Sequence, residues 1–209
     1  MLLQKAYIPP DTIIVWFKMA NEKLNILRLL IENQEKRYSI RKLSQLRSIN
    51  YKSAYNAVMQ LEKEDIITLE RLGNNTNCSF NQKFNPTVYF AEHARKTELI
   101  KNKDLKIVYQ TLTKLEFQLI ALLFGSHAKK SAKNHSDIDL LIITEEKHEE
   151  KIQTALSLIP LDIHPTIMGY EDFISMAKSK EFTAVSEAMK NNIILVGIEE
   201  YYRLLENAR

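Results

Sequence analysis

Between residues 122 and 143 the chain reads LLFGSHAKKSAKNHSDIDLLII, and this segment restricts the fold more than any other. A nearly unbroken apolar run, Phe117 to Phe124, has the length and character of a buried strand and stops at Gly125. A short basic stretch follows, and Ile138 to Ile143 is a second apolar strand. Gly125 thus ends a strand and Ser126 opens a helix, so backbone N–H groups and a hydroxyl face one spot where a phosphate can sit. Asp137 and Asp139 stand one residue apart on a strand, so both side chains project from the same face while Ile138 points into the core. Two carboxylates held so close repel each other unless a cation lies between them. Hard oxygen ligands completed by triphosphate oxygens are the preference of Mg²⁺.

On these residues the segment resembles the minimal nucleotidyltransferases of the DNA polymerase beta superfamily, whose signature is Gly-Ser, ten residues, then Asp-x-Asp. Here the ten run from His127 to Ser136, and Ala128, Ser136, Ile138 and Leu140 also match the usual pattern. The likeness is strong over about 50 residues, 117–168, and looser through Asn191–Tyr202. One departure stands out: where the family commonly has glycine after Gly-Ser-x-Ala-x, this chain has Lys130. The resemblance implies a mixed sheet with flanking helices, Mg²⁺ as cofactor and a nucleoside triphosphate, ATP, as donor, with Gly125, Ser126, Lys129 and Lys130 beside its phosphates.

It also implies a third carboxylate on a neighbouring strand to join Asp137 and Asp139 as metal ligands and catalytic groups. Asp162, in Leu161-Asp162-Ile163-His164, is the candidate, with Glu171 and Asp172 as rivals just downstream. Strand alternation places Asp162 and His164 on one face. His127, His135 and His164 read as surface or supporting residues, and Lys133 as added positive charge. The implied reaction is in-line attack of a hydroxyl on the alpha-phosphate with loss of pyrophosphate, Asp162 accepting the proton. Members of the family include antitoxins that adenylylate a tyrosine on a partner toxin, and relatives that modify antibiotics or nucleic-acid ends.

The first part of the chain has a different pattern. Leu24, Leu27, Leu30 and Ile31 repeat with helical period, which predicts a helix opening at Asn21 and closing at Asn33-Gln34. The role of residues 1–20 stays open. Ser39 precedes a second helix carrying Ile40, Leu43 and Leu46, a turn follows at Arg47-Ser48-Ile49, and Asn50 caps a third helix to about Glu64 with Ala54, Val58 and Leu61 inward. Ile66–Arg71 and Asn77–Phe80 read as strands around a turn at Gly73-Asn74-Asn75. Helix, helix-turn-helix and hairpin together predict a winged helix-turn-helix. DNA would then meet Tyr51, Lys52, Tyr55 and Asn56 on the third helix and phosphate-facing Arg41, Lys42, Arg47 and Arg71, with Lys36 and Arg37 beside them. A winged helix that serves only protein interaction is the competing expectation.

Charge agrees with two modules: residues 1–90 hold 13 Lys/Arg against 8 Asp/Glu, and the rest 16 against 18. The expected α+β organisation is a winged helix-turn-helix domain over 1–90, a connecting helix over 91–116, its charged stretch running from about Ala91 to Leu115, and a nucleotidyltransferase domain with C-terminal helices over 117–209. No apolar run reaches the roughly 18–20 residues of a membrane span, and the N-terminus lacks the order of a secretory signal. The single Cys78 can form neither an internal disulfide nor a thiolate metal site. A cytoplasmic protein is expected, with DNA or a toxin protein as further partner and its oligomeric state open. A transcriptional regulator that senses nucleotide without turnover, and an antitoxin that works by binding alone, are the rival functions.

Overall fold

The structure, a computed structural model, describes residues 10–73, 75–133, 136–179 and 183–208. They fall into two compact units, one reaching Leu30 and resuming over Lys36–Asn81, the other made of Ile31–Glu35 and the chain from Gln82 onward.

The first unit contains α1 (Pro10–Glu32), β1 (Tyr38–Ser39), α2 (Ile40–Leu46), α3 (Tyr51–Lys63), β2 (Ile67–Leu72) and β3 (Asn75–Phe80). Its antiparallel sheet has the order β1-β3-β2. Two helix starts follow from local chemistry: Ser39 Oγ accepts from Lys42 N and Asn50 Oδ1 from Ser53 N, at 3.2 and 2.8 Å. Ile26, Leu27, Leu43, Ala54, Val58, Leu61 and Ile66 are buried. Asn21 does not cap a helix, because α1 begins eleven residues earlier at Pro10. Proline is well suited to a first helical turn, and asparagine costs little inside a helix. Asn75 belongs to β3, not to the turn, and the two-residue β1 escaped the strand signals altogether.

The second unit contains α4 (Pro86–Leu99), α5 (Lys103–Thr113), β4 (Ile120–Leu123), α6 (Gly125–Ala128) and β5 (Ile138–Ile143). After a 3₁₀ turn at Glu146–His148 come α7 (Glu149–Ser157), β6 (Ile163–Met168), α8 (Tyr170–Lys178), α9 (Ala184–Lys190), β7 (Ile193–Val196) and α10 (Ile198–Asn207). The sheet order is β6-β5-β4-β7, with β5 and β6 parallel and the other pairs antiparallel. This is a mixed α+β unit. Leu105, Val108 and Leu112 of α5 and Ile152 and Leu156 of α7 pack with Leu123, Ile138, Leu140 and Ile142 in one core.

Several expectations change here. The single helix over 91–115 is two helices, since Asn102 breaks the run and caps α5 through bonds from Asp104 N and Leu105 N. Residues 117–119 lie outside β4; Phe117 instead stacks on the His148 ring at 3.9 Å. Pro165 does not interrupt β6, where it pairs with Leu140, because β6 is an edge strand and the missing N–H disrupts no second ladder. Ile193–Val196 forms the edge strand β7, which periodicity did not single out. Among the described residues no helix is long and apolar enough to cross a membrane.

Cys78 is fully buried in the first unit, and burial, aided by the Glu62 charge, pushes its thiol from 9.0 up to about 12. At pH 8 the native thiolate fraction is therefore expected to be about a thousandfold below that of the unfolded chain. Maleimide labelling should be slow until denaturant is added. The folded value lies above the unfolded one, so the stability linked to this group is complete below about pH 9.0 and declines as pH rises toward 12.

Candidate functional site

The site is built where β4 ends and β5 begins. Phe124 N donates to Asp139 O at 3.0 Å, closing the antiparallel ladder one step beyond the Leu123–Leu140 pair. This brings the turn at Gly125 under the Asp139 side chain. Gly125 has φ +66°, and a Cβ built there would overlap Asp139 Oδ2 and lie 2.9 Å from Asp139 Cγ. Glycine is therefore required twice over, for the left-handed backbone and for the space the carboxylate occupies. Ser126 lies on α6, a single turn, and its carbonyl accepts from Ser131 N at 3.0 Å.

The parallel pairing of β5 and β6 sets the other side. Ile138 is in register with Ile163 and Asp139 with His164, and Ile138 N donates to Asp162 O at 2.8 Å. Asp137 and Asp162 are thus neighbours one step before the ladder starts. His164 lies between them, its Nε2 3.2 Å from Asp162 Oδ1 and its Nδ1 3.8 Å from Asp137 Oδ2. Asp137 and Asp162 are exposed and Asp139 is half-buried. Burial first, then the Asp137 charge, raises the Asp139 carboxyl above the usual carboxylate range; Glu187 adds to the rise, while His164 and His127 oppose it. Glu171 and Asp172 open α8, beyond the far end of β6. The end of β6 at Met168 is six residues from Asp162, about 20 Å along the strand at roughly 3.3 Å per residue, whereas Asp162 adjoins Asp137 directly. Among the described residues no three His, Cys, Asp or Glu side chains converge into a closed metal-binding set.

The loop lysines have partners. Lys129 Nζ lies 2.7 Å from Glu187 Oε1 on α9, and Lys130 Nζ 3.1 Å from Glu32 Oε1. Lys130 has φ +57°, the left-handed region that favours glycine. His127 Nε2 contacts Ser136 O at 3.2 Å, which ties the loop back on itself, and Lys133 is exposed. His135 lies outside the described residues. An open cavity of about 560 Å³ adjoins Asp162 and is lined also by Asp104, His127, Lys133, Ser136 and Leu161. Sequence reasoning missed Glu187 and the bridging position of His164. The first lies on a helix remote in sequence; the second was signalled only by its alternation with Asp162.

In the first unit Arg41 and Lys42 are exposed on α2, Tyr51, Lys52, Tyr55 and Asn56 on α3, and Arg71 on β2. Tyr51 and Tyr55 stack with centroids 6.4 Å apart. Arg47 is half-buried at the end of α2, and Arg37 pairs with Glu70. A cavity of about 690 Å³ is lined by Ser39, Arg41, Ser44, Gln45, Tyr51 and Thr76.

The second unit, a mixed sheet with flanking helices that presents paired aspartates beside a glycine turn, is consistent with a nucleotidyltransferase fold. The model of the family described as Polymerase beta, Nucleotidyltransferase matches residues 103–201, from the start of α5 into α10, which supports that superfamily for this segment. No curated protein and no solved structure matches the chain.

Replacing Gly125 with alanine is expected to destabilise the protein by at least about 1 kcal/mol, since the left-handed backbone alone costs that much for an L-residue. Thermal denaturation measures it, and Asp139→Ala in the same background should recover part of the loss. Lys130→Gly should raise stability by up to about 1 kcal/mol, because glycine meets the same φ without strain. An unchanged or lowered melting temperature would count against strain at that position.

Proposed function

We propose that the second unit is a Mg²⁺-dependent nucleotidyltransferase that moves a nucleoside monophosphate from ATP to a hydroxyl of a protein or nucleic acid. The observation that carries this reading is the Asp139 carboxylate lying over Gly125, with Asp137 beside it and Asp162 on the adjoining strand. The donor set fits Mg²⁺, which is usually held by one or two carboxylates and substrate phosphates, not by an all-protein cage. Asp137 and Asp139, joined by Asp162 on the acceptor side, would hold the ion, which supplies charge neutralisation for the triphosphate.

The remaining chemistry belongs to the chain. The Gly125–Ser126 turn receives the phosphates, and Lys129 and Lys130 add positive charge there. Asp162 takes the proton of the acceptor hydroxyl as its oxygen attacks the alpha-phosphorus, and the bond to the pyrophosphate oxygen breaks in line. His164, in contact with Asp162, orients that carboxylate. We read the first unit as a winged helix-turn-helix in which α3 presents Tyr51, Lys52, Tyr55 and Asn56 to DNA while Arg41, Lys42, Arg47 and Arg71 serve phosphates. An antitoxin-type adenylyltransferase, with a cognate toxin as acceptor, is the form of this function we favour.

One observation favours a second reading, a winged-helix transcriptional regulator whose inactive transferase fold only senses nucleotide. Lys129 and Lys130 are both engaged by glutamates, and the described carboxylates do not converge into a three-donor set.

Incubation with alpha-labelled ATP, Mg²⁺ and a lysate of the source cell separates the two. Transfer of label to a macromolecule is expected, with a loss of about 10³-fold in Asp137→Asn/Asp139→Asn. ATP binding without transfer to any acceptor would establish the sensor instead. For the first unit, retention on DNA should weaken with salt and fall further in Arg41→Ala/Lys52→Ala. Failure to bind DNA at low salt would remove that role.

A further inference from the structure

We infer that Glu187 is an internal competitor for the nucleotide, holding Lys129 in an ion pair that must open before the lysine can meet a triphosphate. The inference rests on the nucleotide site proposed above and adds to it a residue from a distant part of the chain.

Lys129 directly follows α6, the turn that begins at Gly125, so its ammonium is within side-chain reach of the turn proposed above to receive the phosphates. It is engaged instead by Glu187 at 2.7 Å. The glutamate is placed by a firm backbone: Thr183 and Ser186 form a reciprocal capping box at the start of α9, and Glu187 N donates to Thr183 O at 3.0 Å. α9 packs against β5, the strand that carries Asp139, and the charge of Glu187 reaches that aspartate. Glu187 therefore acts on Asp139 from a separate element.

Two consequences follow from charge. The pair is open to solvent, with the lysine side chain 48% and the glutamate 30% exposed, so it is weak enough to exchange partners. A triphosphate carries several negative charges and outcompetes one carboxylate for the lysine. Exchange nevertheless breaks an existing ion pair, so the site binds ATP less tightly than its lysine content suggests. Glu187 is a specificity-determining residue in this sense: it lowers affinity for bare ATP and makes binding depend more on the accompanying cation.

Calorimetric titration of ATP into the wild type, Glu187→Gln, Lys129→Gln and the double variant, with EDTA and with Mg²⁺, tests this. Glu187→Gln is expected to bind up to about fivefold tighter than wild type in EDTA, the effect of no longer having to open an exposed ion pair before the lysine can meet the phosphates. The gain should shrink with Mg²⁺ and vanish in the Lys129→Gln background. Equal binding by wild type and Glu187→Gln would overturn the inference and leave the nucleotide site standing. A gain that persists without Lys129 would also overturn it, since simple repulsion would then suffice. Absence of binding by all four proteins would overturn both the inference and the nucleotide site.

Discussion

The Asp139 carboxylate resting on the Cα of Gly125 is the contact on which the rest of the site depends. It exists because β4 and β5 pair antiparallel with Leu123 opposite Leu140, so the residues just past the pair must meet. A side chain at position 125 would force either the turn or the aspartate away. The glycine thus fixes the distance between the two halves of the motif, and the ten intervening residues need only close the loop. Closure comes from short-range bonds, Ser131 N to Ser126 O, His127 to Ser136 O and Ser136 N to Lys133 O.

For that contact to hold, β4 has to be fixed from its other side as well, and there the chain uses a buried polar network. β4 pairs with β7, and residue Asn192 just before β7 offers its carbonyl to Arg95 Nη2 at 2.7 Å. Arg95 also binds Glu92, whose second oxygen accepts from Tyr202 OH, both at 2.6 Å. Asn192 Nδ2 reaches Ala188 O and Tyr201 OH. Glu92, Arg95 and Asn192 are almost fully buried, and burial pushes both tyrosine hydroxyls up from their ordinary range, so they remain neutral donors and acceptors. A buried ion pair of this kind adds little net stability because desolvation offsets its attraction. Its effect is positional: it ties α4, the end of α9 and α10 to the start of the strand that flanks the site.

What the sequence made legible follows from how local each signal is. Ser39 and Asn50 start their helices through bonds to backbone three residues away, and Ala54, Val58 and Leu61 turn inward with the helical period, so these features can be read from a short window. The aspartate pair was equally readable, because strand alternation and fixed spacing place it without reference to distant chain. The features that escaped depend on distant partners. Pro165 is harmless only because β6 turned out to be an edge, and Ile193–Val196 is a strand only because β4 offers it a ladder. Glu92 and Arg95 sit on a helix of low amphipathic contrast that looks like a solvated connector until Tyr202 and Asn192 arrive to satisfy them.

Lys130 shows how a substitution can keep the backbone and change the electrostatics. Its φ of +57° is the conformation for which glycine is the natural choice, so the loop keeps a backbone suited to glycine and carries a side chain there at a modest energetic cost. That side chain extends to Glu32, as the neighbouring Lys129 extends to Glu187. Two loop cations are thus each matched by an anion, while Asp137, Asp139 and Asp162 add three carboxylates, with His164 beside Asp137 and Asp162. A cation bound among these carboxylates would restore charge balance, and it would favour the ionised form of Asp139, which burial first and then the Asp137 charge disfavour.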